Sequence, residues 1–363
     1  MPIAVTRPHD PLAAEDTIAL DLSVSTLADE DAPSTGWRGL TTRLLRTLRG
    51  GTLSETDWVQ QMRAAIETND AAALTALIRR NAAWVRQHAL SLAGLAVRRR
   101  HLVALDLLIN TGLPLNQIDT TRARHKSRSL LHEAARRGWF EGVDALLAAG
   151  AAVDRADPQG YTPLHEAVRM AHPVIVRRLL EARADPNGAG HASTRPLQDA
   201  TTVDLLDTLL RGGADPALPD PQQRTPLHSH VRAGRVGCIH ALLRSRRADV
   251  NARDSYGRTP LFYIGRDGNP REVFRVLVQA GADLTLKDAS GSMFLHAWAT
   301  RVDDENLFND VFASAPRLFL QSNDQGRKPL DTLDARGFRS LAQRIRLLRA
   351  AGSEEGVRSL FAS

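Results

Sequence analysis

Apolar positions along this chain recur at helical spacing in short paired runs rather than in one continuous pattern. The stretch from Gly160 to Asn187 is the clearest instance. The Thr162 hydroxyl can cap a helix, and Pro163 suits a first helical position, where no N–H partner is needed. Leu164, Ala167 and Val168 fall on one face of the helix so predicted. His172 and Pro173 mark the turn into a second helix, whose own stripe is Val174, Val176, Leu179 and Leu180. Ala184-Asp185-Pro186-Asn187 then ends the pattern with turn-forming residues. Two helices this short bury little alone, so the unit is predicted to stack on copies of itself.

The copies are present. The leucine that opens each unit recurs as Leu131, Leu164, Leu197, Leu227, Leu261, Leu295 and Leu330, at steps of 33, 33, 30, 34, 34 and 35 residues. The opening words include Thr162-Pro163-Leu164-His165, Thr225-Pro226-Leu227-His228 and Thr259-Pro260-Leu261-Phe262. Each is followed by a leucine-type pair, Leu179-Leu180, Leu242-Leu243 or Leu277-Val278. Closing words such as Gly150-Ala151-Ala152-Val153-Asp154, Gly213-Ala214-Asp215 and Gly281-Ala282-Asp283 keep the same register. In these words and this period the chain resembles the ankyrin-repeat family. The resemblance implies an all-α solenoid of about eight stacked helix-turn-helix units, each touching only its neighbours. It also implies a role for the opening-word histidines His132, His165, His228 and His296, which would hold the loops between neighbouring repeats by hydrogen bonds. Gln198 and Phe262 depart from that pattern.

Around this array the chain divides by composition. Residues 1–36 hold Pro2, Pro8, Pro11 and Pro33 with seven acidic residues and one arginine, and read as a disordered acidic tail. Residues 37–51 read as a basic amphipathic lead-in helix, with Leu40, Leu44, Leu45 and Leu48 on one face. Residues 52–125 read as diverged or capping repeats. Their helix pairs are Asp57 to Thr68 with Asp70 to Asn81, and His88 to Arg99 with Leu102 to Asn110, before a longer basic loop near Ile118 to Lys126. Residues 126–352 hold the regular array, ending in a polar-backed helix from Phe338 to Ala350, and 353–363 form a tail. Irregular stacking is expected in two units. One is 191–220, three residues short; the other is 289–324, where Trp298 stands in place of a small residue.

Charge sharpens the picture. The net charge is +6, and since residues 1–36 carry about −6 the remainder carries about +12. A basic body points to acidic partners. Of 47 basic residues only Lys126, Lys287 and Lys328 are lysine. That usage fits a GC-rich coding sequence, or selection against lysine modification, as would suit a bacterial effector delivered into a host cell. No run of 18 apolar residues and no basic-then-apolar leader occurs, so the expected location is cytoplasmic, or a host cell reached without a hydrophobic signal. With Cys238 the only cysteine, an internal disulfide and a cysteine zinc site are excluded.

No phosphate loop, nucleophile elbow or His-Glu-x-x-His pair occurs. His228 and His230 lie about 200° apart on a helix, so a metal site with His240 is not expected. No catalytic residue, metal or cofactor is assigned. The useful signal is a repeated arginine. Five residues after the marker leucine stand Arg136, Arg169, Arg232 and Arg266. At the finger tips stand Tyr161, Arg224, Tyr256 and Arg258. The resemblance places both registers on the concave groove that the family uses for binding. The expected function is therefore a non-enzymatic, monomeric interaction module whose groove arginines bind a partner protein with an acidic surface. Nucleic acid or an anionic membrane is the alternative, weakened by few aromatics for base stacking. An enzyme within the first 125 residues is the third and weakest reading.

Overall fold

The computed structural model describes residues 55–118, 128–190, 194–265, 268–339, 341–343, 345 and 346. The acidic tail, the lead-in helix, the residues 353–363, most of the basic loop 118–126 and Arg266 lie outside these residues. The compact unit Val59–Ser363 holds every described helix except the start of Glu55–Glu67.

Among its described residues the regular structure is helical, apart from one isolated antiparallel bridge between Lys287 and Met293. The helices form two layers. Ala82–Arg99, Leu130–Arg136, Pro163–Arg169, Pro196–Asp199, Pro226–Arg232, Phe294–Arg301 and Pro329–Ala335 pack side by side as first helices, with a 3-10 turn at Pro260–Tyr263 taking one place in the row. Ala71–Arg80, Leu102–Ile109, Phe140–Ala148, Pro173–Glu181, Val203–Arg211, Val236–Arg244, Pro270–Gln279 and Glu305–Ser314 pack as second helices. The marker leucines Leu131, Leu164, Leu227, Leu261 and Leu295 are buried between the layers. Each burial stabilises the stack by about 1.5–3 kcal/mol. The helix expected from His88 begins earlier, at Ala82, because the Asn81 side chain accepts from the Trp84 N–H and caps it there.

Irregularity falls in both expected repeats and in one unexpected one. The first helix Pro196–Asp199 has only four residues, as the short unit implied. In the 289–324 unit the first helix Phe294–Arg301 is complete at eight residues, but a 3-10 segment, Pro316–Leu320, follows the second helix where other repeats close on glycine. A shortened first element lies one repeat earlier, at Pro260–Tyr263, beneath the opening word in which Phe262 takes the histidine's place. Both short elements leave a leucine carbonyl, Leu197 or Leu261, without a following helical turn. The next repeat answers each one. Three residues after its marker leucine it carries His230 or Trp298, where regular repeats carry Ala134 and Ala167. His230 Nε2 donates to the Leu197 carbonyl at 3.0 Å, and Trp298 Nε1 to the Leu261 carbonyl at 3.1 Å. Both rings are fully buried and fill the space of the missing turn. Trp298 also packs edge-on against Phe294 and Phe274, with ring centroids 4.7 and 5.7 Å away.

The turns between elements demand left-handed backbone. Where Gly138 and Gly150 stand at φ 63° and 90° in one repeat, the next repeat places Ala171 and Arg183 at φ 56° and 66°. A Cβ in that region costs roughly 1–2 kcal/mol, partly offset by the entropy that glycine loses on folding. Ala171→Gly and Arg183→Gly, both at exposed positions, should each stabilise the fold by about 0.5–1 kcal/mol. Urea unfolding followed by far-UV circular dichroism will read this as a higher midpoint at unchanged slope.

Candidate functional site

The face built by the first helices and the fingers starts from a hairpin that recurs with the repeat. Asp157, Asp220, Asp254, Asp288 and Asn323 each stand seven residues before a marker leucine. The side chain of each accepts from the backbone N–H groups two and four residues on, at 2.8–3.1 Å. Their backbone N–H groups donate to the carbonyls of Tyr161, Arg224, Arg258, Ser292 and Arg327, closing each finger. Sequence reasoning missed these aspartates, although their fixed distance from the marker leucine was there to find.

The opening-word side chain ties each finger to the repeat before it. In His165 the Nδ1 atom accepts from the Thr162 N–H at 3.1 Å, so the ring proton sits on Nε2 and is donated to the Thr194 carbonyl at 3.3 Å. His228 repeats this, accepting from Thr225 N–H at 3.1 Å and donating to the Arg258 carbonyl at 3.1 Å. His296 does so between Met293 and Arg327, and His132 Nε2 reaches the Tyr161 carbonyl at 2.8 Å. Gln198 performs both tasks with an amide, accepting from the Arg195 N–H at 2.9 Å and donating to the Arg224 carbonyl at 3.0 Å. Phe262 can do neither. His228 thus points forward along the stack and His230 backward to Leu197, and they share no ligand position. Among the described residues no three His, Cys, Asp or Glu side chains gather as a metal site.

The arginine series lies on the same face, largely engaged with carboxylates. Arg136 bonds Glu133 at 3.4 Å, and Arg137 bonds the same carboxylate at 2.7 Å. Arg169 sits 3.8 Å from Glu166 and lies over the Tyr161 ring at 4.9 Å. Arg128, three residues before a marker leucine, takes Glu166 at 2.9 Å. Arg224 is held by Asp220 at 2.7 Å. Arg258 pairs with Asp288 at 3.2 Å and stacks on Tyr256, which is 59% exposed. Arg232 is exposed and has no side-chain partner among the described residues. Arg266 lies outside them.

Burial governs the histidines. It pushes His132 and His230 down to about 4, and lowers His165, His228 and His296 below the ordinary value. The folded chain therefore holds these rings neutral, which the Nδ1 acceptor role of His165, His228 and His296 requires. An unfolded histidine titrates near 6.5, so the fold binds fewer protons than the unfolded chain below that pH. Their contribution is complete above about pH 6.5 and is lost as pH falls toward about 4, at roughly 3 kcal/mol for each fully buried ring. The urea midpoint should accordingly fall between pH 6.5 and 4.5. His228→Gln, imitating Gln198, should keep neutral-pH stability within about 1 kcal/mol and flatten the acid loss. His228→Ala, which leaves the Thr225 N–H and the Arg258 carbonyl unpaired, should cost about 2–4 kcal/mol.

A sequence model of the family described as ankyrin repeats (3 copies) matches residues 93–189 and 197–288, together more than half of the chain. Among curated proteins the chain is 31% identical over 188 residues to ankyrin repeat protein nuc-2 of Neurospora crassa, covering 50% of this chain and 17% of that protein. It is 30% identical over 175 residues to neurogenic locus notch homolog protein 1 of Xenopus tropicalis, covering 47% and 6%. To inversin of Canis lupus familiaris it is 31% identical over 178 residues, covering 45% and 16%. The chain thus spans less than a fifth of the length of each of these relatives. Among solved structures it is similar to the ankyrin repeat domain of Bcl-3, with a TM-score of 0.53, 23% identity, and coverage of 60% of this chain and 97% of that one.

Proposed function

This chain belongs to the ankyrin-repeat family, and from that premise we propose that it is a non-enzymatic interaction module that binds a partner protein in the concave groove of its repeats. The observation that carries the reading is the arginine series presented by successive first helices and fingers. Arg136, Arg169, Arg232 and Arg266 would face the partner from the helices, and Tyr161, Arg224, Tyr256 and Arg258 from the fingers. A partner with an acidic surface matches that face. The interleaving of arginines with Glu133, Glu166 and Asp220 suits the mixed polar surface of a protein better than the uniform phosphate row of a nucleic acid. The chain acts as a monomer in this reading.

Charge reversal tests it. An affinity capture with the wild type should retain a defined acidic protein, and the Arg136, Arg169, Arg232, Arg266→Glu variant should lose it about tenfold or more at equal helicity. Reversal of Arg177, Arg211 and Arg244, on second helices, should leave capture intact. Equal loss in both variants would remove the groove as the site.

The composition supports a narrower setting, a bacterial effector working in the cytoplasm of a host cell. Its supports are the three lysines among 47 basic residues and the acidic residues 1–36. A reporter fused to residues 1–60 should leave the bacterium through a specialised secretion system, and retention in the producing cell would end this setting.

A further inference from the structure

Resting on the groove-binding function proposed above, we infer that the partner's anchoring acidic side chain is taken at one place, around Arg232, and not along the whole arginine series. The reason is a change of residue two positions after the marker leucine. That position holds Glu133, Glu166 and Asp199 in three successive repeats, and Ser229, Tyr263 and Ala297 in the next three. In the first group the carboxylates neutralise the groove from within. Glu133 holds Arg136 and Arg137, and Glu166 holds Arg128 and Arg169. Asp199, half-buried and raised by burial, has Arg169 and Arg235 close enough to pull its carboxyl the other way. Where the carboxylate gives way to Ser229, the arginine one turn later has nothing to pair with.

The same place is hollow. The first helices on either side of Pro226–Arg232 are cut short, at Pro196–Asp199 and Pro260–Tyr263. A recess of about 330 Å³ opens beside Ser229 and Arg232, walled by the Tyr263 ring. Three arginines and two aspartates line it. Arg224 is held by Asp220, while Arg235 faces Asp199 and donates to the Ala200 carbonyl at 3.1 Å. Arg232 is the positive charge left over. The surroundings add to it, since Arg301 is pushed below the ordinary arginine range by burial, then by Arg258 and Arg232. An anion at Arg232 relieves that repulsion. A recess of this size admits a side chain and not a folded surface, and a guanidinium fork matches a carboxylate with two hydrogen bonds. The occupant is therefore a Glu or Asp side chain of an extended segment of the partner, with the Ser229 hydroxyl as a further donor.

Fluorescence anisotropy of the full chain with a labelled oligomer of alternating glutamate and glycine tests this. Arg232→Gln should weaken binding about tenfold or more. Ser229→Glu, which restores the carboxylate that Glu133 and Glu166 supply elsewhere, should do the same by pairing with Arg232. Ser229→Ala, which removes the further donor, and Arg136→Gln, which removes a series arginine already paired with Glu133, should each weaken binding, but by no more than about threefold. Circular dichroism checks that all four variants fold. If the wild type fails to bind the oligomer, the acidic-partner function falls and this inference with it. If the wild type binds and Arg136→Gln weakens binding as much as Arg232→Gln, the function stands and the single anchor is overturned. Tighter binding of an oligonucleotide of equal charge, with the same dependence on Arg232, would also overturn the carboxylate assignment.

Discussion

One hydrogen-bonded link holds successive repeats in register, and it depends on keeping an imidazole neutral in a buried place. The ring accepts from the backbone at its own helix start and donates to the finger carbonyl of the next repeat. Burial favours the neutral form because a charged ring would lose its hydration, and the neutral form leaves one nitrogen free to accept. The two effects reinforce each other, so a residue with a titratable ring serves as a fixed strut at neutral pH. Gln198 shows that the requirement is one acceptor and one donor at the right spacing, not an imidazole as such. Phe262 supplies neither group. The element there is a 3-10 turn, and the connection passes instead through Trp298 and through the finger backbone, where the Ala289 N–H donates to the Tyr256 carbonyl at 2.8 Å.

That substitution of one link for another arises from the one-dimensional build of the array. A repeat touches only its neighbours, so a defect in one must be met by the next. Loss of a turn opens a space after Leu197 and Leu261 and leaves the Leu197 carbonyl to find a donor elsewhere, at a cost of about 1–3 kcal/mol if it stayed buried and unpaired, while the Leu261 carbonyl keeps a long 3.4 Å bond from the Ile264 N–H. His230 and Trp298 answer both needs with one side chain each. Where Leu130–Arg136 and Pro163–Arg169 are complete, the corresponding residues of the next repeats are the small Ala167 and Ala200.

The period, the opening words and the two-layer order were legible because leucine spacing and the Thr-Pro pair act locally on the chain. Trp298 was legible as an anomaly, but of its own repeat. The shortened element it meets lies in the preceding repeat, at Pro260–Tyr263. No pattern within a single repeat shows a compensation that crosses to the next one. The finger aspartates were hidden for a different reason. Asp and Asn are ordinary turn residues, and their role appears only when the two backbone N–H groups that converge on each side chain are known. The arginine series was visible as a register, yet its individual pairings were not. Pairing of Arg136 with Glu133 and of Arg258 with Asp288 depends on which side chains reach across a turn or to the next finger.

The division of labour between positions explains how such a chain can bear a local site on a repeated frame. The residue after the marker leucine points inward and carries the link between repeats. The next residue, and the one three further on, carry ion pairs such as Glu133–Arg136 and Glu166–Arg169. A change from Glu166 to Ser229 at that register therefore alters the field of the groove without altering the fold. The neighbouring helices, shortened for reasons of their own and mended by His230 and Trp298, deepen the same stretch. Charge and shape thus coincide at Arg232 because two independent departures from the repeat, one at a groove position and one in helix length, fall within the same three units.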